Sequence, residues 1–118
     1  MNYFIFTALA TLLTIPGFAY QEQVSIVDTP PEIPAVLQRI AICESQGKDF
    51  DDNGRILKGG YNKYDIGKYQ INVLYWGDLA KELGIDIYTP EGNEAMALEI
   101  YNRHGSAPWK WSKKCWDK

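Results

Sequence analysis

Residues 40–45 read Ile-Ala-Ile-Cys-Glu-Ser, and they place a carboxylate on the apolar side of a predicted helix. The spacing i, i+3, i+4 and i+7, which puts side chains on one helix face, is occupied by Leu37, Ile40, Ala41 and Glu44. A carboxylate on that face is partly removed from water, which disfavours its charged form and raises its pKa. A general acid needs such a pKa in order to hold its proton near neutral pH. The pattern therefore predicts a proton donor at Glu44, with an ordinary Glu that turns out to water as the alternative.

Two motifs further along the chain give this carboxylate a context. Residues 64–72 read Tyr-Asp-Ile-Gly-Lys-Tyr-Gln-Ile-Asn, and residues 101–105 read Tyr-Asn-Arg-His-Gly. Together with Glu44 and Ser45, and in this order, they resemble the lysozyme-like superfamily, and the last is similar to the Tyr-Asn-x-x-Gly element of soluble lytic transglycosylases. The resemblance implies a mainly α (α+β) lysozyme-like fold, a helical domain with a short strand-rich wing. It also implies cleavage of the β-1,4 MurNAc–GlcNAc bond of peptidoglycan.

The resemblance assigns the chemistry to three residues. Glu44 is the implied general acid and base. Tyr101 is implied to support it with its hydroxyl, with a core tyrosine as the alternative. Lytic transglycosylases need no second carboxylate, because the same Glu takes a proton from the sugar's own 6-hydroxyl and closes an anhydro ring. Asp65 stands where animal-type lysozymes have their second catalytic carboxylate, so hydrolysis is the alternative reaction. A solvated Asp in the cleft wall is the further alternative for Asp65.

The chain departs from the transglycosylase pattern at two points. Glu44-Ser45 is followed by Gln46 where that family usually has Gly, and the two residues before Gln70 are Lys68 and Tyr69 rather than apolar residues. These departures leave the exact reaction open between transglycosylation, which we favour, and hydrolysis.

Substrate-binding residues are expected on the wing and on the helices beside it. Gln70 and Asn72 lie two positions apart, so on a strand their amides would share one face. The resemblance implies that Gly67 lets the backbone approach the sugar, with a strand bulge as the alternative. Tyr75 and Trp76 resemble the cleft aromatics of animal-type lysozymes, whose flat rings suit sugar faces, with core packing as the alternative. The full expected set is Ser45, Gly67, Tyr69, Gln70, Asn72, Tyr75, Trp76 and Asn102.

The N-terminal segment predicts export. Residues 3–19 carry no charge and end with Gly17 and Ala19, small residues at the spacing of a cleavage site, so residues 1–19 are predicted to be a signal peptide. The run is shorter than the about 20 apolar residues that span a bilayer. Export would place Cys43 and Cys115 in an oxidising compartment, secreted or periplasmic, where a disulfide persists. Two buried free thiols are the alternative.

The rest of the chain divides into a lead-in and one domain. Residues 20–34 contain three prolines and predict an extended lead-in, and residues 35–118 form the predicted domain. In the helix predicted over residues 74–83, Leu79, Ala80 and Leu83 are expected to face inward, with Gly84 as the C-terminal cap. Thr89 is expected to cap the following helix. Helices are predicted over residues 34–46, 74–83 and 90–103, and a short strand is predicted over residues 55–58.

Composition restricts the remaining possibilities. A net charge of -3 gives no basic footprint for nucleic acid. One His and two cysteines that are expected to be bridged do not supply a catalytic triad or a zinc site. Residues 49–56 match the start of an EF-hand loop, but Gly60 stands where its bidentate Glu should be, so a hairpin turn is favoured. We expect a monomer that acts on peptidoglycan glycan strands without cofactor, metal, nucleic acid or membrane anchor, and a non-catalytic peptidoglycan-binding module is the alternative of another class.

Overall fold

The computed structural model describes Gly17 and residues 29–118. The chain divides into the units Met1–Pro30 and Pro31–Lys118, and every element below belongs to the second. Apart from Gly17, the predicted signal peptide lies outside the described residues, as does most of the predicted lead-in. None of the helices in the described part of the chain has the length and apolar character needed to cross a bilayer.

Four α-helices, one 3₁₀ helix and a two-stranded sheet make up the described fold. In chain order they are α1 (Ala35–Ser45), β1 (Asp65–Ile66), β2 (Ile71–Asn72), α2 (Val73–Leu83), α3 (Pro90–His104), the 3₁₀ helix (Ala107–Ser112) and α4 (Lys113–Trp116). The predicted class is confirmed: the described domain is mainly α (α+β), with helices and one small two-stranded sheet.

Local chemistry sets the ends of the helices. Pro34 directly precedes α1. The side chain of Asn72 accepts hydrogen bonds from two backbone N–H groups in the first turn of α2, and Thr89 does the same for one N–H group of α3. Gly84 ends α2 in the left-handed conformation with φ 68°. The predicted caps at Thr89 and Gly84 are therefore confirmed.

The strand-rich wing comprises residues 49–72. Its two strands are antiparallel, with Asp65 opposite Asn72, and isolated bridges join Phe50 to Ile56 and Lys58 to Ile66. The predicted strand over residues 55–58 is wrong, because only these single bridges form there. The carboxylate of Asp51 accepts hydrogen bonds from the N–H groups of Asn53 and Arg55. The N–H group of Arg55 is therefore not free to pair with a neighbouring strand, as a continuous strand would require.

The hydrophobic core joins α1, the wing, α2, α3 and the C-terminal segment. The prediction that Leu83 faces inward is wrong, since its residue is 40% exposed. Helix α2 ends there, and the chain reverses at Gly84 so that the N–H of Ile85 bonds to the carbonyl of Ala80, and Ile85 packs against the core instead. The buried hydrophobic residues are Leu37, Ile40, Ala41, Ile66, Tyr69, Ile71, Ala80, Ile87, Met96, Ala97, Ile100, Trp109 and Trp116.

A fully buried amide, Asn93 on α3, fastens the wing to the helices. Its Nδ2 donates to the carbonyls of Ile66 at 2.8 Å and Ile87 at 3.1 Å, and its Oδ1 accepts from the N–H of Tyr69 at 3.0 Å. Because buried amides that are fully hydrogen-bonded specify a unique arrangement, Asn93 fixes where the wing sits on α3. Gly67 lies against this amide with φ 73°, and a Cβ there would be 2.5 Å from Asn93 Nδ2.

The Gly67→Ala variant is therefore expected to lower the free energy of unfolding by about 2–4 kcal/mol, from left-handed strain and overpacking together. Gly77→Ala on α2 is the matched control, because nothing lies within 4 Å of the Cβ it would add. That change should be neutral or stabilise by up to about 1 kcal/mol. Urea unfolding of the two variants measures both effects, and equal stabilities would contradict the packing role of Gly67.

Candidate active site

A cavity of about 840 Å³ opens between the end of α1, the wing and the C-terminal segment. Six of the expected site residues line it, and one of the two carboxylates comes from α1 while the other comes from β1. The lining residues are Glu44, Asn62, Asp65, Gln70, Ile71, Asn72, Leu74, Tyr75, Trp76, Ile100, His104, Ala107, Pro108, Trp109, Lys110 and Trp111. The fold therefore gathers most of the predicted polar residues around one open space.

Glu44 lies in the last turn of α1, partly buried, with its carboxyl group at this cavity. Burial raises its pKa above the usual value, a hydrogen bond from Ser112 opposes the rise, and the negative charge of Asp65 adds to it. The Ser112 hydroxyl donates to Glu44 Oε1 at 2.5 Å. A carboxyl group in this setting holds a proton to higher pH than an exposed one, as the apolar face of α1 predicts.

Asp65, the second carboxylate, is held in place by amide side chains. Its Oδ1 accepts a hydrogen bond from Asn72 Nδ2 at 2.8 Å and a longer one from Asn62 Nδ2 at 3.4 Å. The same Asn72 caps α2 with its carbonyl oxygen, so one side chain connects the helix end to Asp65. Asp65 thus faces the cavity with a defined orientation.

Gln70 and Asn72 both line the cavity, but not as neighbours on one strand face. Strand β2 begins only at Ile71, and Gln70 has φ 48°, in the left-handed region. A turn after Gly67 causes this, since the N–H and the Nε2 of Gln70 both donate to the Gly67 carbonyl. The expected shared strand face is therefore wrong, although both amides reach the same cavity.

Exposed aromatic and apolar side chains form the rim of the cavity. Leu74 is 72% exposed, Tyr75 is 75% exposed and Trp111 is 90% exposed. The rings of Tyr75 and Trp76 meet edge to face at 4.8 Å, and the His104 ring lies 5.4 Å from that of Trp76. Large apolar groups left in water beside a cavity that holds two carboxylates mark a surface that a ligand can cover.

Two expected substrate-binding residues lie in the protein interior instead. The Ser45 hydroxyl is buried, and its one hydrogen lies between the Lys68 carbonyl at 2.7 Å and the Ala41 carbonyl at 3.0 Å. Tyr69 is buried in the core, and its hydroxyl donates to Glu94 at 3.2 Å. Both side chains join α1 or α3 to the wing, so their contacts are structural. The same holds for Gly67, whose packing against Asn93 is described above.

The third motif also differs from expectation. Tyr101 is partly buried and packs against the core, and within residues 29–118 its hydroxyl makes no hydrogen bond to Glu44. Asn102 is exposed and lies outside the cavity lining. Ser112 makes the contact to Glu44 that the resemblance implies for Tyr101.

The predicted disulfide between Cys43 and Cys115 is present, with Cα atoms 6.0 Å apart. It joins α1 to α4 at a point next to Glu44 and three residues beyond Ser112. Arg39 Nε also donates to the carbonyl of Trp116 at 2.9 Å, which adds a second tie between these helices. The segment that carries Ser112 is therefore anchored to the helix that carries Glu44.

Sequence reasoning missed several residues of the site, of which Ser112 is the most important. A signal for it exists: if Cys43 and Cys115 are bridged, the residues one turn before Cys115 must lie near Glu44. Asn62, Trp109 and Trp111 also line the cavity. These residues reach the cavity because of the way the wing and the 3₁₀ helix pack, and the spacing of residues within one helix or strand does not predict such packing.

The acidic loop at residues 49–56 is a turn in the structure. Two backbone N–H groups occupy the Asp51 carboxylate, and Asp49 forms an ion pair with Lys68 at 3.4 Å. Among the described residues, no group of three or more His, Cys, Asp or Glu side chains is arranged to hold a metal ion.

No protein-family model, curated protein or solved structure matches the chain significantly. The proposal of a function therefore depends on the cavity residues and on the resemblance of the three motifs.

Proposed function

We propose that this protein is a peptidoglycan-cleaving glycosidase that acts on the β-1,4 MurNAc–GlcNAc bond with Glu44 as its general acid. The observation that carries the proposal is the partly buried Glu44 carboxyl, with its raised pKa, at a cavity large enough for sugar rings. Glycoside cleavage requires a proton on the leaving oxygen as a positively charged, oxocarbenium-like transition state develops. A pure binding module would have no need of a carboxyl group held in this state.

The reaction we favour is that of a lytic transglycosylase. Protonated Glu44 gives its proton to the glycosidic oxygen, and the bond to the MurNAc anomeric carbon breaks. The resulting carboxylate is partly desolvated, so it readily takes the proton of the sugar's 6-hydroxyl. That hydroxyl oxygen then bonds to the anomeric carbon, which leaves a 1,6-anhydro end and restores the acid. We favour this route because the sequence of residues 101–105 resembles the element of that family, and Ser112 supplies the hydroxyl contact to Glu44 that the resemblance implies for Tyr101.

Hydrolysis is the second candidate, and the position of Asp65 favours it. Asp65 lines the same cavity as Glu44, its charge acts on the Glu44 carboxyl, and Asn72 orients it. Two carboxylates that flank a glycosidic bond are the usual arrangement of hydrolysing glycosidases. In that reaction Asp65 would stabilise the cation or bond to it before water completes the cleavage.

The fold and the location that we propose agree with this activity. A lysozyme-like arrangement, in which a helix-end Glu faces a strand-rich wing, is supported by the positions of α1 and residues 49–72. A secreted or periplasmic location is supported by the Cys43–Cys115 disulfide, since such bonds persist in oxidising compartments. Peptidoglycan lies in the same compartments.

The Asp65→Asn variant distinguishes the two reactions. In a transglycosylase the 6-hydroxyl is the nucleophile, so the variant should keep substantial activity and its products should carry 1,6-anhydro ends. A hydrolase that lost this charge should slow by about a thousandfold. Asn keeps the shape of the side chain and an oxygen for the Asn72 amide, and Asp78→Asn on the exposed side of α2 is the matched control. Mass spectrometry that shows only reducing MurNAc ends, together with a nearly inactive Asp65→Asn, would establish hydrolysis instead.

A further inference from the structure

The Ser112 hydroxyl lies in a chain of hydrogen bonds that ends on Glu44. Its Oγ is 2.5 Å from Glu44 Oε1. It also accepts the indole N–H of buried Trp116 at 3.1 Å, and that N–H is shared with the Trp109 carbonyl at the same distance. The carbonyl of Trp109 lies 3.1 Å away as a second acceptor for the single hydroxyl hydrogen. The contact with Glu44 is the shorter by far, and a carboxyl oxygen is a strong acceptor. The Ser112 hydroxyl therefore donates its hydrogen bond to Glu44 rather than to the Trp109 carbonyl.

This contact has a consequence for the proton that Glu44 carries. A protonated carboxyl group has one O–H donor and one carbonyl oxygen that accepts. Because Ser112 donates to Oε1, the favoured neutral form has its carbonyl oxygen at Oε1 and its proton on Oε2. Ser112 thereby determines which oxygen of Glu44 can give a proton.

We propose that Ser112 is a positioning residue that fixes the orientation of the Glu44 carboxyl group and selects Oε2 as the oxygen that delivers the proton. The proposal rests on the proposed function, in which Glu44 is the general acid. Ser112 acts through Glu44 and needs no contact with the substrate.

The surroundings of Ser112 are suited to this role. Trp116 supports the hydroxyl from the other side with an N–H group that can only donate, and this N–H bridges Ser112 Oγ and the Trp109 carbonyl. The Cys43–Cys115 disulfide and the bond from Arg39 to the Trp116 carbonyl anchor this end of the chain to α1. The segments that carry Glu44 and Ser112 are therefore joined by a disulfide as well as by packing.

The effect of Ser112 on the titration of Glu44 follows from the same contact. A hydrogen bond that stabilises the carboxylate lowers its pKa, so loss of the hydroxyl should make Glu44 titrate at higher pH. The other charged or titratable groups that line the cavity are Asp65, Tyr75, His104 and Lys110, and of these only Asp65 contributes to the Glu44 shift. Because the Ser112 hydrogen bond is the one contribution that lowers the Glu44 pKa, a rise in that pKa is the change expected when the hydroxyl is removed.

The test combines NMR titration with kinetics on the full protein. The carboxyl carbon of Glu44, identified by its loss in Glu44→Gln, is followed against pH in Ser112→Ala and in the pair Ser112→Thr and Ser112→Val. Thr and Val have the same shape and differ by the hydroxyl, so any disturbance of packing is common to both. Ser106→Ala is the control, since Ser106 precedes the same 3₁₀ helix and makes no side-chain cap hydrogen bond.

The expected result is a higher Glu44 pKa in the Ala and Val variants, with the alkaline limb of the kcat/KM profile moved to higher pH. In these variants kcat should fall by about tenfold with KM unchanged, and Thr should restore both properties. An unchanged Glu44 titration in Ser112→Ala and Ser112→Val, with Glu44→Gln still inactive, would overturn the proposal and leave the proposed function intact. A wild-type protein that does not cleave peptidoglycan would overturn both proposals. The two failures are distinguishable, because the first is seen only in the Ser112 variants and the second is seen in the wild type.

Discussion

The Glu44→Gln variant is expected to remain folded and to lose peptidoglycan cleavage by about a thousandfold, within the range that general acids contribute. Gln has the shape of Glu and keeps an oxygen for the Ser112 hydroxyl, so the contact at 2.5 Å can persist. It has no proton to give to a leaving oxygen, and it cannot act as the base that follows. Turbidity of a peptidoglycan suspension measures the loss, and circular dichroism measures the fold.

Stability gives a second measurement on the same variant. Because burial raises the pKa of Glu44, the folded protein binds this proton more tightly than the unfolded chain. The stabilisation that results is fully present below the unfolded pKa and is lost as the pH rises through the folded pKa. Glu44→Gln does not titrate, so its stability relative to wild type should improve as the pH rises through that window. Urea unfolding at several pH values measures this trend.

Glu82→Gln is the matched control for both measurements, because Glu82 is an exposed residue near the end of α2. It should keep wild-type activity and show no comparable trend with pH. A folded Glu44→Gln protein that cleaves peptidoglycan at close to the wild-type rate would remove Glu44 from the acid role and the proposed function with it.

Loss of the disulfide is expected to have the largest effect on stability. Cys43 and Cys115 are 72 residues apart in sequence, and chain-entropy arguments assign such a crosslink about 4 kcal/mol. The double variant Cys43→Ala/Cys115→Ala should therefore unfold at a temperature more than about 10 °C below that of the wild type. Calorimetry measures the difference, and thiol titration of the unfolded, unreduced wild type should find no free thiol.

The wild type treated with a reducing agent is the control that leaves the sequence unchanged. Its melting temperature should also fall. The crosslink also anchors Ser112, so the double variant should lose activity at temperatures where it is still folded. Unchanged melting temperatures in the double variant and in the reduced wild type would show that packing between α1 and α4 suffices without the bond.

Local signals predicted the features that depend on neighbours in sequence. The apolar spacing around Glu44 predicted both α1 and the direction of the pKa shift that burial produces. Thr89 and Gly84 marked helix ends because capping is satisfied within one turn. The disulfide followed from having two cysteines and a predicted leader, although the spacing alone fixed no geometry.

Features that depend on distant packing were missed. Gln70 leaves the strand because the turn after Gly67 uses its N–H groups, and that turn is shaped by Asn93 from α3. Leu83 is exposed because the reversal at Gly84 brings Ile85 to the core. Ser112 reaches Glu44 from a distant part of the chain, and only the expected Cys43–Cys115 bridge indicates that the two residues lie close together.

The Cys43–Cys115 bond also makes most of the described domain a closed covalent ring. The ring contains the wing, α2, α3 and the 3₁₀ helix, including the exposed turn at residues 52–54. A protease that cuts once inside it opens the ring without releasing a fragment, so both carboxylates stay tethered to each other. A nicked molecule should therefore migrate as two pieces on a reducing gel and as one on a non-reducing gel, and its halves can still pack as one domain.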